Sequence, residues 1–216
     1  MKIEIIHWQS PTFDDAFVEF HVRQRDCYAA FGAESAAPIE LPDPASTTLI
    51  AALTEGGEIV GGVRFLRRSP EAPLPLERIA ARFGVHVSVP CGDVAEAGAL
   101  WVDRRLQGIG AGRMLAESTI ALAPFLRIDM IMILAHQFYH CLRPAGYVPV
   151  PELPPLPYPD DRYVSRVQVC EPGHVPWAAP DRRSHIFRMR QEWAAHGFLR
   201  CGAISIPQEV NHEQAL

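Results

Sequence analysis

Apolar and polar positions alternate at the start of the chain, in Met1-Lys-Ile-Glu-Ile-Ile-His-Trp8, the period of a strand half covered by a core. From Thr12 the period changes. Thr12-Phe-Asp-Asp15 has the form of a capping box, and Phe13, Phe17, Phe20, Cys27 and Phe31 fall near one helical face, with Gly32 as the stop. A loop rich in Ala, Pro and acidic residues, 33–44, leads to two strand patterns, 48–53 and 59–66. They are joined through Glu55-Gly-Gly-Glu58, a hairpin signal. The stretch 74–84 reads as a helix after Pro75, and 94–102 as a strand running into a glycine-rich corner. Helical spacing returns over 110–123 (Met114, Leu115, Ile120, Leu122), and Pro124 ends it. Residues 129–136 are an apolar run too short for a typical helix and are expected as a buried strand. The proline-rich 149–159 must be a loop, 164–170 alternates as a late strand, and 181–196 is a helix carrying Ile186, Met189 and Trp193, stopped by Gly197. The residues after Ile206 read as a frayed tail, and no internal repeat is visible. This order predicts an α/β protein with a mixed, mostly antiparallel central sheet flanked by helices and a C-terminal helical extension.

Composition narrows the function classes. At 216 residues with 48% hydrophobic content, the chain suits one domain over 1–206, with a C-terminal elaboration at 171–206 and a tail at 207–216. A net charge of −5 and the lack of any Lys/Arg block argue against a nucleic-acid partner. The five cysteines (Cys27, Cys91, Cys141, Cys170, Cys201) are scattered with no C-x-x-C pair, which speaks against a disulfide framework or a zinc knuckle. No apolar run reaches membrane-spanning length and no signal-peptide core opens the chain, so a cytoplasmic protein without a membrane partner is expected.

The candidate chemistry begins at Leu100-Trp-Val-Asp-Arg-Arg-Leu-Gln-Gly-Ile-Gly-Ala-Gly-Arg-Met-Leu115. Glycines where a strand turns into a helix let several backbone N–H groups converge, and the helix adds unpaired amides and the positive end of its dipole. That arrangement binds a diphosphate. A Walker loop would end in Gly-Lys-Ser/Thr, whereas Gly112 is followed by Arg113-Met114. A Rossmann fingerprint would need glycine where Arg113 stands. The alternative is that the glycines only permit tight strand–helix packing. What remains, Arg105-x-x-Gly108-x-Gly110, resembles the pyrophosphate loop of the GCN5-related N-acetyltransferases (GNAT).

A second block strengthens the resemblance. After the strand at 129–136 come Gln137-Phe-Tyr-His-Cys-Leu-Arg143 and Pro144-Ala-Gly146-Tyr147, which resembles the superfamily's short Phe-Tyr helix ending in Gly-Phe or Gly-Tyr, with the spacing stretched around Pro144. The resemblance implies the GNAT fold and an acyl-CoA donor. Leu100, Trp101, Val102, Arg105, Gln107, Gly108, Ile109, Gly110 and Ala111 would hold it, with Arg104 and Arg113 near its phosphates or merely solvated. It also implies a bulged fourth strand that offers a backbone amide near Leu100–Val102 to the thioester oxygen, and Tyr139 as the acid that protonates the leaving thiolate. The alternative for Tyr139 is a core aromatic hydrogen-bonded through its hydroxyl.

The N-terminal half resembles the acyl-homoserine-lactone synthases and N-acyl amino acid synthases. The residues that carry this are Arg23 on the first helix, Asp43 in the loop, Arg64 in Gly61-Gly-Val-Arg64-Phe65, and Glu96 before Leu100-Trp-Val102. Two departures stand out: the Arg of the Glu-x-x-Arg pattern is Ala99, and only one loop Asp is present. Arg23, Asp43 and Arg64 are therefore expected to bind the acceptor, and Glu96 to be the general base, directly or through water, with burial raising its pKa. The alternative for Glu96 is a strand carboxylate that only pairs with Arg64. Arg23 and Arg25 are more often surface charges than ligands, although an Arg facing the cleft could hold an acceptor carboxylate bidentately. His136 and His140, four apart with Cys141 adjacent, lack a further ligand at metal spacing, so no metal is expected and Cys141 is read as packing. His185, Arg188 and Trp193 either wall the acceptor site or belong to a capping helix. The expected activity is transfer of an acetyl or longer acyl group from CoA to the amine of a small metabolite, an amino acid or a derivative. The expected state is compatible with a homodimer. The rival readings are an acyl-homoserine-lactone or N-acyl amino acid synthase, and a non-catalytic acyl-CoA sensor.

Overall fold

The computed structural model describes residues 1–36, 43–69, 73–90, 92–136, 142–175, 178–196 and 204–205. The chain runs β1 (Lys2–His7), α1 (Phe13–Ala30), β2 (Thr47–Leu53), β3 (Ile59–Arg67), α2 (Pro75–Arg82), β4 (Val94–Val102), α3 (Ala111–Leu122), β5 (Met130–His136), α4 (Leu142–Ala145), β6 (Val148–Pro149), β7 (Ser165–Cys170), α5 (Pro180–His196) and β8 (Ile204–Ser205). The strands form one eight-stranded sheet in the order β6-β7-β5-β4-β3-β2-β1-β8. Among the described pairings only β4–β5 is parallel, so the expectation of a mixed, mostly antiparallel α/β sheet with a C-terminal helix holds.

Helices cover both faces. On one, α3 and α5 bury Leu115, Ile120, Ile186, Met189 and Trp193 against Val63, Phe65, Ala95 and Ala97. On the other, α1 lays Phe13, Phe17 and Phe20 on Leu49, Ala51 and Trp101, while α2 covers Leu66 and Val94. Over Gly62–Leu66 of β3 and Val94–Gly98 of β4 the alternation sends odd-numbered residues to α3 and even-numbered ones toward α1 and α2. Arg64 and Glu96 therefore share the second face.

Two details of α1 differ from expectation. Thr12 stands at the N-cap, but its side chain caps nothing; the hydroxyl meets Ser10 Oγ at 3.0 Å instead. Phe31 is 46% exposed, because the helix ends at Ala30 and Gly32, at φ +66°, turns the chain away.

Close approach between α1 and the sheet depends on Gly62. A Cβ there would lie 2.6 Å from Phe20 Cε2 and 2.8 Å from the Ile50 carbonyl oxygen. One contact is backbone, which cannot swing aside. Gly62→Ala is expected to cost about 2–3 kcal/mol in urea unfolding; a loss below about 0.5 kcal/mol would mean that α1 is free to lift.

Candidate active site

Two features at the end of β4 shape a cleft. Ladder pairing with β5 ends at Glu96↔Met132, although β5 continues beside β7 as far as His136. Beyond Glu96 the β5-facing backbone of β4 thus has no strand partner among the described residues. In addition, the register with β3 slips between Gly62↔Trp101 and Arg64↔Gly98, a bulge centred on Ala99 at φ +57°. The extra residue reverses the facing of the last three strand residues: Trp101 packs on α1 and not on α3, while Leu100 and Val102 turn to the α3 side. Side chains of α1 meet the carbonyls of this segment. The Tyr28 hydroxyl donates to the Leu100 oxygen at 3.3 Å and the Cys27 thiol to the Val102 oxygen at 3.5 Å. Burial pushes the Tyr28 phenol up to about 12, which keeps it protonated as a donor.

Past Val102 the chain turns through Gly108 (φ +82°) and Gly110 (φ +86°) into α3, with Gly110 as its N-cap. Gly110 has no side chain to satisfy the first helical amides, and the first turn carries no acidic residue. Left-handed φ at both glycines aims those amides outward, so the local geometry fits a bound anion. The loop opens on a cavity of about 560 Å³ whose other walls include Tyr28 of α1, Phe31 just past its end, and Leu100, Trp101 and Val102 of β4. An apolar channel leading from an amide-lined corner fits a pantetheine arm with a diphosphate at its end.

Of the residues expected to hold the donor, Leu100, Trp101, Val102, Gln107, Gly108, Gly110 and Ala111 line this cavity. Arg105 and Ile109 are not among its walls. Ile109 is 53% exposed. Arg105 forms a bidentate pair with Asp103, Nε–Oδ1 3.0 Å and Nη2–Oδ2 2.7 Å, and reaches Glu58 at 3.6 Å. Its guanidinium is occupied at the surface.

Behind Tyr28 lies a buried polar cluster. Glu96 and Arg64 are each only 4% exposed. Glu96 Oε2 accepts the Leu76 amide, at the start of α2, at 2.8 Å. Oε1 is turned to the space beside Gly98: a Cβ on that glycine would lie 2.9 Å from Oε1 and 3.5 Å from Arg64 Nη2. Burial raises the Glu96 carboxyl to about 7, outweighing the Leu76 bond and the charge of Arg64, both of which lower it. Arg64 Nε and Nη1 and both amide atoms of Gln24 are buried with no hydrogen-bond partner. His21 Nδ1 donates to the Phe17 carbonyl at 2.8 Å, and its Nε2 is likewise unpartnered. Burial lowers the His21 pKa, leaving a neutral ring. Buried polar groups without partners are costly in a core. Several in one place mark a site that binds polar groups.

The other expected acceptor ligands lie elsewhere. Arg23 pairs with Glu58 at 2.7 Å and Glu19 at 3.5 Å on the outer side of α1. Asp43 caps a single turn at Pro44–Ser46, accepting the Ala45 amide at 3.1 Å. The structure brings Arg64 and Glu96 together, whereas the partners it gives Arg23 and Asp43 are Glu58, Glu19 and the Ala45 amide. Arg25, Arg104 and Arg188 are exposed. Tyr139, with Phe138, His140 and Cys141, lies outside the described residues. Among the described residues no group of three His, Cys, Asp or Glu side chains could hold a metal, and no helix is long and apolar enough to cross a membrane. Trp193 is buried against Phe125 on the α3 face, so it does not wall the acceptor cluster.

Gly98, Gln24 and His21 belong to this cluster, and the sequence pattern alone did not single them out. Gly98 is legible in retrospect as the residue two places after Glu96 on one strand, hence on the same face.

Residues 4–142 match the Acetyltransferase (GNAT) family. Among solved structures, the chain is similar to the CoA-dependent acyl-homoserine lactone synthase MesI, with a TM-score of 0.63 at 18% identity over 95% of this chain and 97% of that one. It is also similar to the CoA-dependent acyl-homoserine lactone synthase BjaI, with a TM-score of 0.64 at 15% identity over 87% and 89%. A third is FeeM, an N-acyl amino acid synthase from uncultured soil microbes, with a TM-score of 0.57 at 16% identity over 82% and 99%. At these identities the likeness speaks for the fold. No protein of curated function matches the sequence.

Proposed function

The chain belongs to the acetyltransferase (GNAT) family and is an acyltransferase, and from that premise we propose that it acylates the amine of a small, carboxylate-bearing metabolite, an amino acid or a derivative, with acyl-CoA as donor. The observation that carries this reading lies on one strand. β4 holds a buried carboxyl near neutral pKa at Glu96 and ends, past a bulge, in a glycine-lined anion cradle.

These placements support the following chemistry. The α3 amides and Gly108–Gly110 hold the donor's diphosphate, and the cavity along Leu100–Val102 takes the pantetheine arm. Backbone N–H groups near the Ala99 bulge, unpaired toward β5, stabilise negative charge developing on the thioester oxygen. Glu96, with a pKa near working pH, accepts the proton of the acceptor ammonium, directly or through water. The neighbouring Arg64 grips the acceptor carboxylate, which supplies the acceptor its buried guanidinium lacks. Tyr139 is the acid for the departing thiolate on the family pattern. S-adenosylmethionine is one acceptor of this class and makes lactone synthesis the second reading, favoured by the convergence of Arg64 with Glu96. Ala99, where that pattern has Arg, stands against it.

The test is thiol release from acyl-CoAs of increasing chain length against a panel of amines, preceded by calorimetry with CoA. Micromolar CoA binding and release dependent on an amino acid acceptor are expected. Lactone formation from S-adenosylmethionine would select the second reading, and CoA binding without release for any amine would leave only a sensor.

A further inference from the structure

The family pattern accounts for the loop and the sheet, but not for a charged cluster under α5. Glu117, on the second turn of α3, is fully buried. His185 Nδ1 of α5 meets its Oε2 at 2.5 Å, while Arg113 Nε and Arg182 Nε stand 3.9 and 3.8 Å from its Oε1. Neither guanidinium is hydrogen-bonded to the carboxylate, and both Arg113 Nε and Glu117 Oε1 are buried without a partner. One carboxylate thus positions two permanent cations without using up their donors. The only other carboxylate near Arg182 among the described residues is Asp181 at 3.0 Å, and it is 61% exposed and therefore well screened.

Both arginines border the donor cavity. Arg113 and Arg182 line it, and Arg113 Nη2 lies 3.1 Å from where a Cβ on Gly110 would be, directly over the cradle. Two cations share one buried anion, with the exposed, screened Asp181 as the other counter-charge of Arg182, beside amides already arranged for an anion.

We propose that Arg182, carried by the C-terminal helix and set in place by Glu117, is a phosphate-binding residue of the donor site. It acts with Arg113 on the anionic nucleotide end of the donor. The C-terminal helix is then part of the donor site, and the enzyme selects a nucleotide-bearing thioester over a bare pantetheine thioester. This role for Arg182 rests on the acyl-CoA reading and deepens it.

Calorimetry and steady-state kinetics on the full chain test it with CoA, dephospho-CoA and pantetheine thioesters. Arg182→Ala is expected to weaken CoA binding ten- to thirtyfold and raise the KM for acyl-CoA in parallel. The KM for an acyl-pantetheine should stay unchanged, and Arg182→Lys should recover part of the loss. If dephospho-CoA loses as much as CoA, Arg182 contacts the diphosphate; if it loses nothing, the contact is to the sugar phosphate. Either supports the proposal. CoA binding by the wild type with no change in Arg182→Ala overturns it while leaving the acyltransferase reading intact, and so does an equal loss for CoA and pantetheine donors. No CoA binding by the wild type removes the reading beneath it.

Discussion

Replacing Glu96 by Gln is expected to lower kcat/KM for amine acylation by about 10²–10⁴, the range for loss of a positioned general base. The pH profile separates this from a structural effect. With a carboxyl near 7, the wild-type rate rises about tenfold per pH unit below that value and levels above it, whereas Glu96→Gln is flat. Stability should move the other way. The folded pKa lies above the unfolded value of 4.5, so the folded state holds the proton more tightly. The stability this contributes is full below about pH 4.5 and is lost as pH rises through 7, to the extent of roughly 3 kcal/mol at most. Glu96→Gln, with no charge to bury, should therefore melt above the wild type at pH 8 and close to it at pH 4.5. A variant that keeps a third of the wild-type rate would make Glu96 only the partner of Leu76 and Arg64.

Gly98→Val is expected to abolish turnover, more than a hundredfold, while CoA affinity stays within a factor of two. Its Cβ would lie 2.9 Å from Glu96 Oε1 and 3.5 Å from Arg64 Nη2, in the space where base and guanidinium face one another. The donor cavity, built from Leu100–Val102 and the glycine loop, is not touched. Overpacking costs about 1–3 kcal/mol, so the unchanged CoA isotherm also shows that the variant is folded. Gly98→Ala should be intermediate, mainly in the acceptor's KM. If CoA binding and turnover fall together, the cluster is no separate acceptor site.

Much of the sheet was readable from the residues. The hairpin Thr47–Leu53/Ile59–Arg67, β4 at Val94–Val102 and the helix after Gly110 lie where periodicity and glycines put them. These depend on short-range chemistry: alternation, turn residues and unpaired helix amides. The acceptor side was less readable. Arg23 and Arg64 look alike in a sequence, but one is a half-exposed ion pair with Glu58 and the other is buried beside Glu96. Asp43 caps a turn, as any loop Asp preceding Pro can.

The sequence by itself determined the succession of strands and helices and the glycine corner, because these arise from the chain's local periodicity and from backbone angles that glycine favours. The tertiary structure alone decided three things: the slip at Ala99 that turns Trp101 to α1, the burial that lifts Glu96 to about 7, and the meeting of Glu117 with Arg182, 65 positions on. Each depends on what packs across the chain, since desolvation and register are set by neighbours far away in sequence.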